Sequence, residues 1–333
     1  MNYAVESFTG ARPTADLTLG NYLGAIDPVL TREAAGEKTA IFLADLHAAT
    51  THDPRKVVGH SIELARTLIA ADVQSEIYSQ RDFTKEVMAV ELAIRGLVST
   101  ARLLRLPTLK DKIKNNENLD NANTALLLYP VTMAADIILA RPRAVPTGKD
   151  QLPHLEITNE IIRKFNRAFD ASLPAPAARE VEPVNIMSLD GSGTKMSKTL
   201  PRGAVFLSDT PDVAHKKIVR ARTASGPGPE MNEAIDNMLA IALPLGRRGV
   251  DLAVLSELTE LGERVKQGEP GAGNFKGVVG DIVAAFLRDI NERRESISDA
   301  DVADRLARGR EWFAPTASET AEYVESHFWG DAQ

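Results

Sequence analysis

The sequence of 333 residues contains no cysteine. Disulfides, thiolate catalysis and cysteine-ligated zinc or iron–sulfur sites are therefore excluded. Histidine is scarce, and His52, His60 and His215 lack the spacing of metal ligands, so no protein-bound metal is expected. No apolar run approaches the ~20 residues of a membrane span, and the first residues lack the basic and apolar regions of a signal peptide. These absences predict a cytoplasmic protein without a membrane partner.

Basic residues are fewer than acidic ones, 39 against 46, which gives a formal net charge of −7. That balance argues against broad non-specific binding of nucleic acid, although a local basic patch can still contact RNA. Candidate patches are the segment 216–222 and the group formed by Arg288, Arg293 and Arg294. A solvated helix face explains either patch about as well. With 44% hydrophobic and 26% charged residues, the chain otherwise has the composition of a globular protein.

Short apolar runs alternate with helical patterns over residues 1–200. We interpret the runs as buried strands, at 4–9, 39–44, 76–79, 144–147 and 185–189. Alternating strands and helices predict an α/β fold with a doubly wound, Rossmann-like parallel sheet and ligands at the carboxyl ends of the strands. Residues 201–333 show mainly helical patterns and predict a helical C-terminal domain.

Helix starts can be read at several places in the sequence. Asp53-Pro54 and the segment 209–212 carry the capping residues and the proline that favour the first turn of a helix. The segment 14–16 is a further candidate cap, for a helix that begins near Gly20.

Two short segments suit contacts with phosphates. Thr18-Leu-Gly-Asn21 follows the first predicted strand, where a glycine and the start of a helix allow backbone N–H groups to approach an anion. Lys195-Met-Ser-Lys-Thr199 supplies two ammonium groups that can stabilise the charge of a breaking polyphosphate. Singly, the first also fits an ordinary helix start and the second an exposed basic loop. Together they predict a site that holds ATP from two sides.

The segment 129–151 carries one carboxylate within an apolar helix face. At helical spacing the face comprises Tyr129, Met133, Asp136 and Ile137. Because burying an unpaired carboxylate is costly, Asp136 needs a partner. On chemistry alone, it either accepts a hydrogen bond from a ligand, such as an indole N–H, or pairs with Arg141 or Arg143.

These segments resemble the signature motifs of class I aminoacyl-tRNA synthetases, which read roughly H-I-G-H and K-M-S-K-S. The chain is similar to the tryptophanyl/tyrosyl subgroup over almost its whole length, and to the tryptophanyl branch in particular. The similar segments are Phe8-Thr-Gly10-Ala-Arg12-Pro-Thr14, Asp45-Leu-His47-Ala, Tyr129-Pro-Val-Thr-Met133-Ala-Ala-Asp136-Ile137, Val145-Pro-Thr-Gly148-Lys-Asp150-Gln151, His154-Leu-Glu156 and Ile186-Met-Ser-Leu.

The resemblance implies a ligase that uses ATP with Mg²⁺ to convert L-tryptophan to tryptophanyl-adenylate and then transfers it to tRNA(Trp). It implies a catalytic domain over residues 1–200, an insertion at about 81–121 at a homodimer interface, and a helical anticodon-binding region over 201–333. Two alternatives remain open. One is a tyrosyl enzyme, because an aspartate can also bind a phenol, and the other is a noncatalytic paralogue that senses tryptophan or its adenylate.

By position, the resemblance also implies the roles of individual residues. The catalytic group is Lys195, Ser197 and Lys198. The ATP-binding set is Arg12, Pro13, Thr14, Gly20, Asn21, Gly148, Lys149, Asp150, Ile186, Lys195, Met196, Ser197, Lys198 and Thr199. The tryptophan-binding set is Phe8, Gly10, His47, Tyr129, Met133, Asp136, Ile137, Val145 and Gln151. Lys110 and Lys112 are assigned to the pyrophosphate, and no residue is assigned to a metal.

The sequence departs from the family pattern at a few positions. Thr18 stands where the first motif usually has histidine, and Thr199 stands where the second usually ends in serine. The segment 81–121 is less similar to the family than the rest of the chain. The dimer interface and the roles of Lys110 and Lys112 therefore rest on a weaker resemblance.

Overall fold

The computed structural model describes residues 1–13, 16–37, 39–115, 123–148, 151–180, 185–198, 200–224, 226–247 and 249–330. Five strands form one sheet: β1 (Val5–Ala11), β2 (Thr39–Leu43), β3 (Ile77–Ser79), β4 (Pro142–Thr147) and β5 (Ala177–Glu180). All pairings are parallel, and the strand order is β3-β2-β1-β4-β5. The order reverses between β1 and β4, which is where doubly wound sheets bind ligands. The predicted Rossmann-like parallel sheet is confirmed.

Helices occupy most of the remaining chain. Before residue 200 they are α1 (Leu19–Asn21), α2 (Asp27–Ala34), α3 (Asp45–Ala49), α4 (Pro54–Ala70), α5 (Thr84–Ile94), α6 (Thr100–Leu103), α7 (Pro107–Asn115), α8 (Thr124–Ala140) and α9 (Leu152–Ala168). After it they are α10 (Pro211–Val219), α11 (Pro229–Gly246), α12 (Leu252–Lys266), α13 (Ala272–Ser296) and α14 (Asp299–Trp329). Single turns of other helical types lie at Tyr22–Ile26, Gln80–Phe83, Arg95–Leu97 and Pro201–Gly203. The helical character predicted after residue 200 is confirmed.

Capping side chains explain where several helices begin. Asp53 accepts a hydrogen bond from the Arg55 N–H, and α4 starts at Pro54 as predicted. Thr210 caps α10 in the segment where the sequence predicts a helix start. The prediction for α1 is wrong, because the cap is Thr18 rather than a residue of 14–16.

The predicted fifth strand at 185–189 is also wrong. Strand β5 lies earlier in the chain and pairs with β4. Its sequence, Ala-Ala-Arg-Glu, has no β-branched or aromatic residue, so no strand pattern marks it. The segment 185–189 instead bonds to residues 194–196, with the Ser188 N–H 2.8 Å from the Thr194 oxygen.

Two groups of buried apolar side chains pack on the two faces of the interior strand β2, against alternate residues. Ile41 and Leu43 belong to one group, and Ala40 and Phe42 belong to the other. All five residues of β2 are buried, as expected for a strand covered on both faces. The first group includes residues of α11 and α13, and the second includes residues of α8 and α14. Helices from both parts of the chain therefore complete the core around the sheet.

Helix α14 covers the edge strand β3. At Gly309 a β-carbon would lie 1.9 Å from the Ile77 oxygen, so the helix backbone lies directly against the strand. Phe313 stacks on Tyr78 with ring centroids 4.2 Å apart. The side chain of Arg305 donates to backbone oxygens just before β3. These contacts protect the strand edge from pairing with another chain.

Across the described ranges, we find no helix with the length and apolar character needed to cross a bilayer.

Candidate active site

A cavity of about 330 Å³ opens near the carboxyl ends of β1, β2 and β4. It is lined by Phe8, Thr9, Gly10, Arg12, Phe42, Ala44, His47, Thr50, Tyr129, Met133, Ile137, Val145, Pro146, Thr147, Gln151 and Leu155. This lining contains every residue predicted for the amino-acid pocket except Asp136. A largely apolar cavity of this size suits a small ligand with an aromatic side chain.

Asp136 is buried next to His47 of this lining, with only 4% of its surface exposed. Gln80 Nε2 donates to both carboxylate oxygens, at 2.7 and 2.9 Å, and His47 Nε2 lies 2.8 Å from Oδ2. Because a carboxylate only accepts, the histidine contact requires a proton on Nε2. The Gln80 amide is oriented in turn, since its Oε1 accepts the Leu46 N–H at 3.0 Å. The position of the carboxylate is thus fixed before any ligand binds.

Neither Arg141 nor Arg143, the two arginines expected as alternative partners of Asp136, pairs with it. Arg141 pairs with Glu319 of α14, and Arg143 Nε lies 3.1 Å from a Glu6 carboxylate oxygen. Asp136 is therefore held by an amide and an imidazole rather than by a guanidinium. Oδ1 accepts one hydrogen bond within the described part of the chain, which leaves a lone pair for a further donor.

Tyr129 forms part of the wall, and its hydroxyl is anchored. That hydroxyl lies 3.1 Å from both Thr108 Oγ1 and His154 Nε2. Burial raises the pKa of Tyr129, and the hydrogen bond with Thr108 and the charge of Arg12 oppose that rise. The phenol therefore stays protonated near neutral pH. Because Thr108 belongs to α7, the helix that carries Lys110 contacts the pocket wall.

Arg12 borders the cavity and has an unused donor. Its guanidinium donates through Nη2 to Thr51 Oγ1, whereas Nε is buried without a partner among the described residues. Burial lowers the pKa of Arg12, yet an arginine keeps its charge at physiological pH. A buried unsatisfied donor costs about 1–3 kcal/mol. An anionic group bound beside Arg12 would recover that energy.

The first signature segment begins α1 with a closed cap. Thr18 is fully buried, and its hydroxyl accepts the Asn21 N–H at 3.2 Å. The same hydroxyl donates to Asn21 Oδ1 at 3.1 Å, and Oδ1 also accepts the Thr18 N–H at 3.1 Å. The threonine that replaces the family's histidine therefore serves the helix start.

The two signature segments lie against each other. A β-carbon at Gly20 would stand 3.5 Å from the Met196 Cβ and 3.6 Å from the Ile186 Cβ, which is ordinary van der Waals contact. The Leu19 N–H donates to the Val205 oxygen at 2.8 Å, which joins α1 to the chain that follows the lysines. Glycine at position 20 is therefore not needed to relieve a clash inside the protein.

The lysine loop, residues 186–198, folds back on itself as a short hairpin. Lys195 is exposed, whereas Ser197 and Lys198 are half-buried. Burial lowers the pKa of the Lys198 ammonium below its ordinary value, and the nearby Asp16 carboxylate opposes that shift. The two lysines therefore differ in their exposure to solvent.

Several predicted site residues fall outside the described residues. They are Thr14, Lys149, Asp150, Thr199 and the side chain of Lys112. Lys110 is exposed on α7, and Pro13 is buried beside Arg12. The Gly148 oxygen accepts the Gln151 N–H at 2.9 Å, at the start of α9. In the described ranges, no group of three or more His, Asp or Glu side chains is arranged to hold a metal ion.

The sequence reasoning missed Gln80 and Phe42. Gln80 directly follows β3, and Phe42 lies next to the last residue of β2. Because ligands lie at the carboxyl ends of parallel strands, position alone could have drawn attention to both residues. The Phe42 ring stacks on Phe8 with centroids 4.9 Å apart, and a β-carbon at Gly10 would stand 2.6 Å from that ring. The absence of a side chain at Gly10 therefore leaves space for the Phe42 ring in the pocket wall.

Comparison with known proteins agrees with this architecture. The family model described as tRNA synthetases class I (W and Y) matches residues 2–287. A tryptophan–tRNA ligase of Helicobacter pylori is 34% identical over 325 residues, covering 94% of this chain and 95% of that protein. One of Caulobacter vibrioides is 31% identical, covering 97% and 95%.

Solved structures show the same similarity in three dimensions. The tryptophanyl-tRNA synthetase of Mycoplasma pneumoniae superposes with a TM-score of 0.83 at 26% identity, covering 98% of this chain and 97% of that one. The Campylobacter jejuni enzyme, complexed with ADP and tryptophan, gives 0.73 at 27% identity, covering 97% of each chain. The chain belongs to the class I tRNA synthetases, in the family of the W and Y enzymes.

Proposed function

We propose that the protein activates L-tryptophan with ATP, releases pyrophosphate, and transfers the tryptophanyl group to tRNA(Trp). The observation that carries this proposal is the aromatic-lined cavity with one carboxylate, Asp136, held beside its wall. An indole is a flat apolar body with a single N–H donor. The near full-length relatives named tryptophan–tRNA ligases support the same substrate.

Selection of the amino acid rests on that single hydrogen bond and on the shape of the wall. The indole N–H donates to Asp136, while Met133, Ile137 and Val145 limit the size of the side chain that fits. A site built around a buried hydrogen bond rejects analogues that lack the donor by about 10⁴- to 10⁵-fold. No editing step is then needed. Gln151 is proposed to contact the amino group of the substrate.

In the first step the carboxylate of tryptophan attacks the α-phosphate of ATP in line, and pyrophosphate leaves. Catalysis comes from positioning and from stabilisation of charge, without a general base. Lys195 and Lys198 neutralise the leaving pyrophosphate, and Ser197 orients it. Arg12 offers its unpaired Nε to the anionic part of the substrates. At the start of α1, the backbone N–H of Gly20 is proposed to donate to a phosphate oxygen.

Mg²⁺ enters this scheme as part of the ATP substrate. It would neutralise phosphate charge as part of the bound nucleotide, and no side chain of this chain is assigned to hold it. Asp150 is proposed to bind the ribose hydroxyls. Lys110 and Lys112 are proposed to reach the pyrophosphate, and the contact of their helix α7 with Tyr129 through Thr108 supports this proposal.

We further propose that residues 1–200 form the catalytic domain and residues 201–333 the region that binds the tRNA anticodon. Of the two basic patches, the one on α10 fits RNA better, because Lys216 and Arg220 are exposed there. In the other patch, Arg293 pairs with Asp289 and Arg294 pairs with Glu63. Those ion pairs leave less charge for phosphates.

Two further parts of the proposal concern assembly and location. A homodimer through residues 81–121 is supported by exposed apolar side chains on α5, where Met88 and Leu92 are 41% and 40% exposed. Exposed apolar groups at helical spacing favour burial against a partner. Because the proposed tRNA substrate is used in translation, we place the reaction in the cytoplasm.

The proposal is tested by exchange of labelled pyrophosphate into ATP and by charging of a tRNA pool. We expect exchange that depends on tryptophan, and tryptophan attached to one tRNA species. Exchange with tyrosine instead would reject the amino acid. Binding of tryptophan without exchange or charging would identify a noncatalytic sensor and reject the enzyme.

A further inference from the structure

One side chain of α11, Asn237, grips the base of the lysine loop. Its Oδ1 accepts the Met187 N–H at 2.7 Å, and its Nδ2 donates to the Met187 oxygen at 3.1 Å. A neighbouring strand would satisfy the same two backbone groups in the same way. Because both groups of one residue are held, the contact fixes the orientation of the backbone as well as its position.

Met187 in turn is the residue that faces Lys195. The two form an antiparallel bridge, flanked by the Ser188 N–H to Thr194 oxygen bond and the Met196 N–H to Ile186 oxygen bond, both 2.8 Å. In such a pair the peptide groups of the facing residues point away from each other. The N–H and C=O of Met187 are thus left for the Asn237 amide. A displacement of Met187 is transmitted to the backbone of Lys195 through the flanking bonds.

A cleft of about 440 Å³ lies between the tip of the loop and α11, lined by residues that include Gly191, Gly193, Glu233 and Asn237 itself. On its other side, the base of the loop packs against Gly20 through Met196. The base is therefore clamped between Asn237 and the start of α1, whereas the tip at 191–194 is exposed.

We infer that Asn237 is a positioning residue for adenylate formation. By fixing Met187, it sets where Lys195 and Lys198 stand relative to the phosphates of bound ATP. Asn237 acts through the loop backbone, without touching substrate. The inference rests on the proposed role of the lysine loop in stabilising pyrophosphate.

The test compares substitutions on one helix. Asn237→Leu keeps a similar volume and removes both hydrogen bonds, and Asn232→Leu, at an exposed position of α11, is the matched control. Pyrophosphate exchange, thermal unfolding, and single-turnover transfer from preformed adenylate to tRNA are measured for each. We expect kcat of exchange to fall about 30- to 100-fold for Asn237→Leu, because displaced catalytic groups lose rate steeply. The KM for tryptophan and the transfer rate should stay within about twofold, since the lysines act only while pyrophosphate leaves.

Asn237→Asp is a second variant for the case in which the leucine fails to fold. Its carboxylate can accept the Met187 N–H but repels the Met187 oxygen, whereas the protonated form regains a donor. Its exchange rate relative to the unsubstituted enzyme should therefore rise as the pH is lowered. A ratio that does not change with pH contradicts the inference.

Two outcomes separate this inference from the function on which it rests. In a background with both Lys195→Ala and Lys198→Ala, Asn237→Leu should lower exchange little further, because the lysines that Asn237 positions are already absent. A full additional loss, or equal losses of exchange, transfer and tryptophan affinity, would assign Asn237 a structural role only and overturn the inference. Unchanged exchange in both Lys195→Ala and Lys198→Ala would instead reject the proposed role of the loop itself.

Discussion

The amino-acid side and the phosphate side of the active site are built in opposite ways. On the amino-acid side, Asp136 is buried and receives hydrogen bonds from Gln80 and His47. On the phosphate side, Lys195 is exposed, and the base of its loop is held by hydrogen bonds between Asn237 and the backbone of Met187. The carboxylate side is fixed before binding, and the phosphate side leaves the Lys195 ammonium accessible.

The difference follows from what each side is proposed to do. Discrimination between side chains requires walls and hydrogen-bond partners that do not adapt to the wrong ligand. A loop that admits ATP and later releases pyrophosphate must instead open and close. The same protein therefore combines a preorganised carboxylate with a loop that is held at its base.

The largest expected effect comes from removing the charge on the fixed side. Asp136→Asn should lower kcat/KM for tryptophan by about 100-fold, since a charged acceptor is lost and buried donors are left unpaired. The KM for ATP should change by less than about twofold. Steady-state pyrophosphate exchange with each substrate varied measures both, with the exposed Asp212→Asn as the control. Equal losses for both substrates would point to a folding role for Asp136.

A smaller effect is expected from loosening the same carboxylate without changing its charge. Gln80→Leu removes the amide nitrogen that donates to both oxygens of Asp136 and the oxygen that accepts the Leu46 N–H, and should raise the KM for tryptophan about tenfold. The exposed Gln74→Leu should leave it unchanged. Titration of tryptophan binding measures the effect directly. Unaltered affinity in a folded Gln80→Leu protein would show that the carboxylate needs no such support.

On the phosphate side, Gly20→Ala tests whether the glycine is needed for the packing of the protein or for the approach of ATP. The nearest protein atoms would be 3.5 Å from the new β-carbon, so the fold should lose no stability. The added methyl group should hinder the approach of a phosphate to the backbone, so the KM for ATP should rise about fivefold. Gly309→Ala, where the β-carbon meets the Ile77 oxygen, should lower the melting temperature instead. A melting temperature lowered by Gly20→Ala would contradict this distinction.

The smallest expected effect is a shift in pH dependence. Burial already lowers the pKa of Lys198, and the Asp16 carboxylate holds it up. Asp16→Asn removes that support, so the pKa falls further, and the ammonium is lost at lower pH. The alkaline limb of kcat/KM for ATP should therefore move to lower pH. A shift to higher pH would show that Asp16 does not act on Lys198 through charge.

Local sequence patterns predicted the features that depend on neighbouring residues, namely strands, helix caps and the residues that share a helix face. Four of the five strands lie in or close to the predicted runs, and Asp53 and Thr210 cap helices where expected. The apolar wall residues also line the cavity, because helical spacing on α8 fixes which of them share a face. Their proposed roles stay predictions.

Contacts between distant segments could not be predicted in this way. Gln80 meets Asp136 across 56 positions of the chain, and Asn237 meets Met187 across 50. No periodicity links such residues, because their encounter is decided by how the helices pack. Strand β5 escaped for another reason, since its alanines and charged residues have no strand preference. The proposed boundary at residue 200 also stays a prediction.

The covering of β3 by α14 has a consequence for the order in which the chain folds. Arg141 finds Glu319 only across 178 positions, and Arg305 finds Glu76 across 229. Helix α14 follows every other described element in the chain. During synthesis, the edge of β3 therefore stays exposed until α14 has been made. Pairings of such long range form slowly and leave strand edges open to aggregation. We therefore expect nascent chains that stop before α14 to depend on chaperones, although they already carry both signature segments.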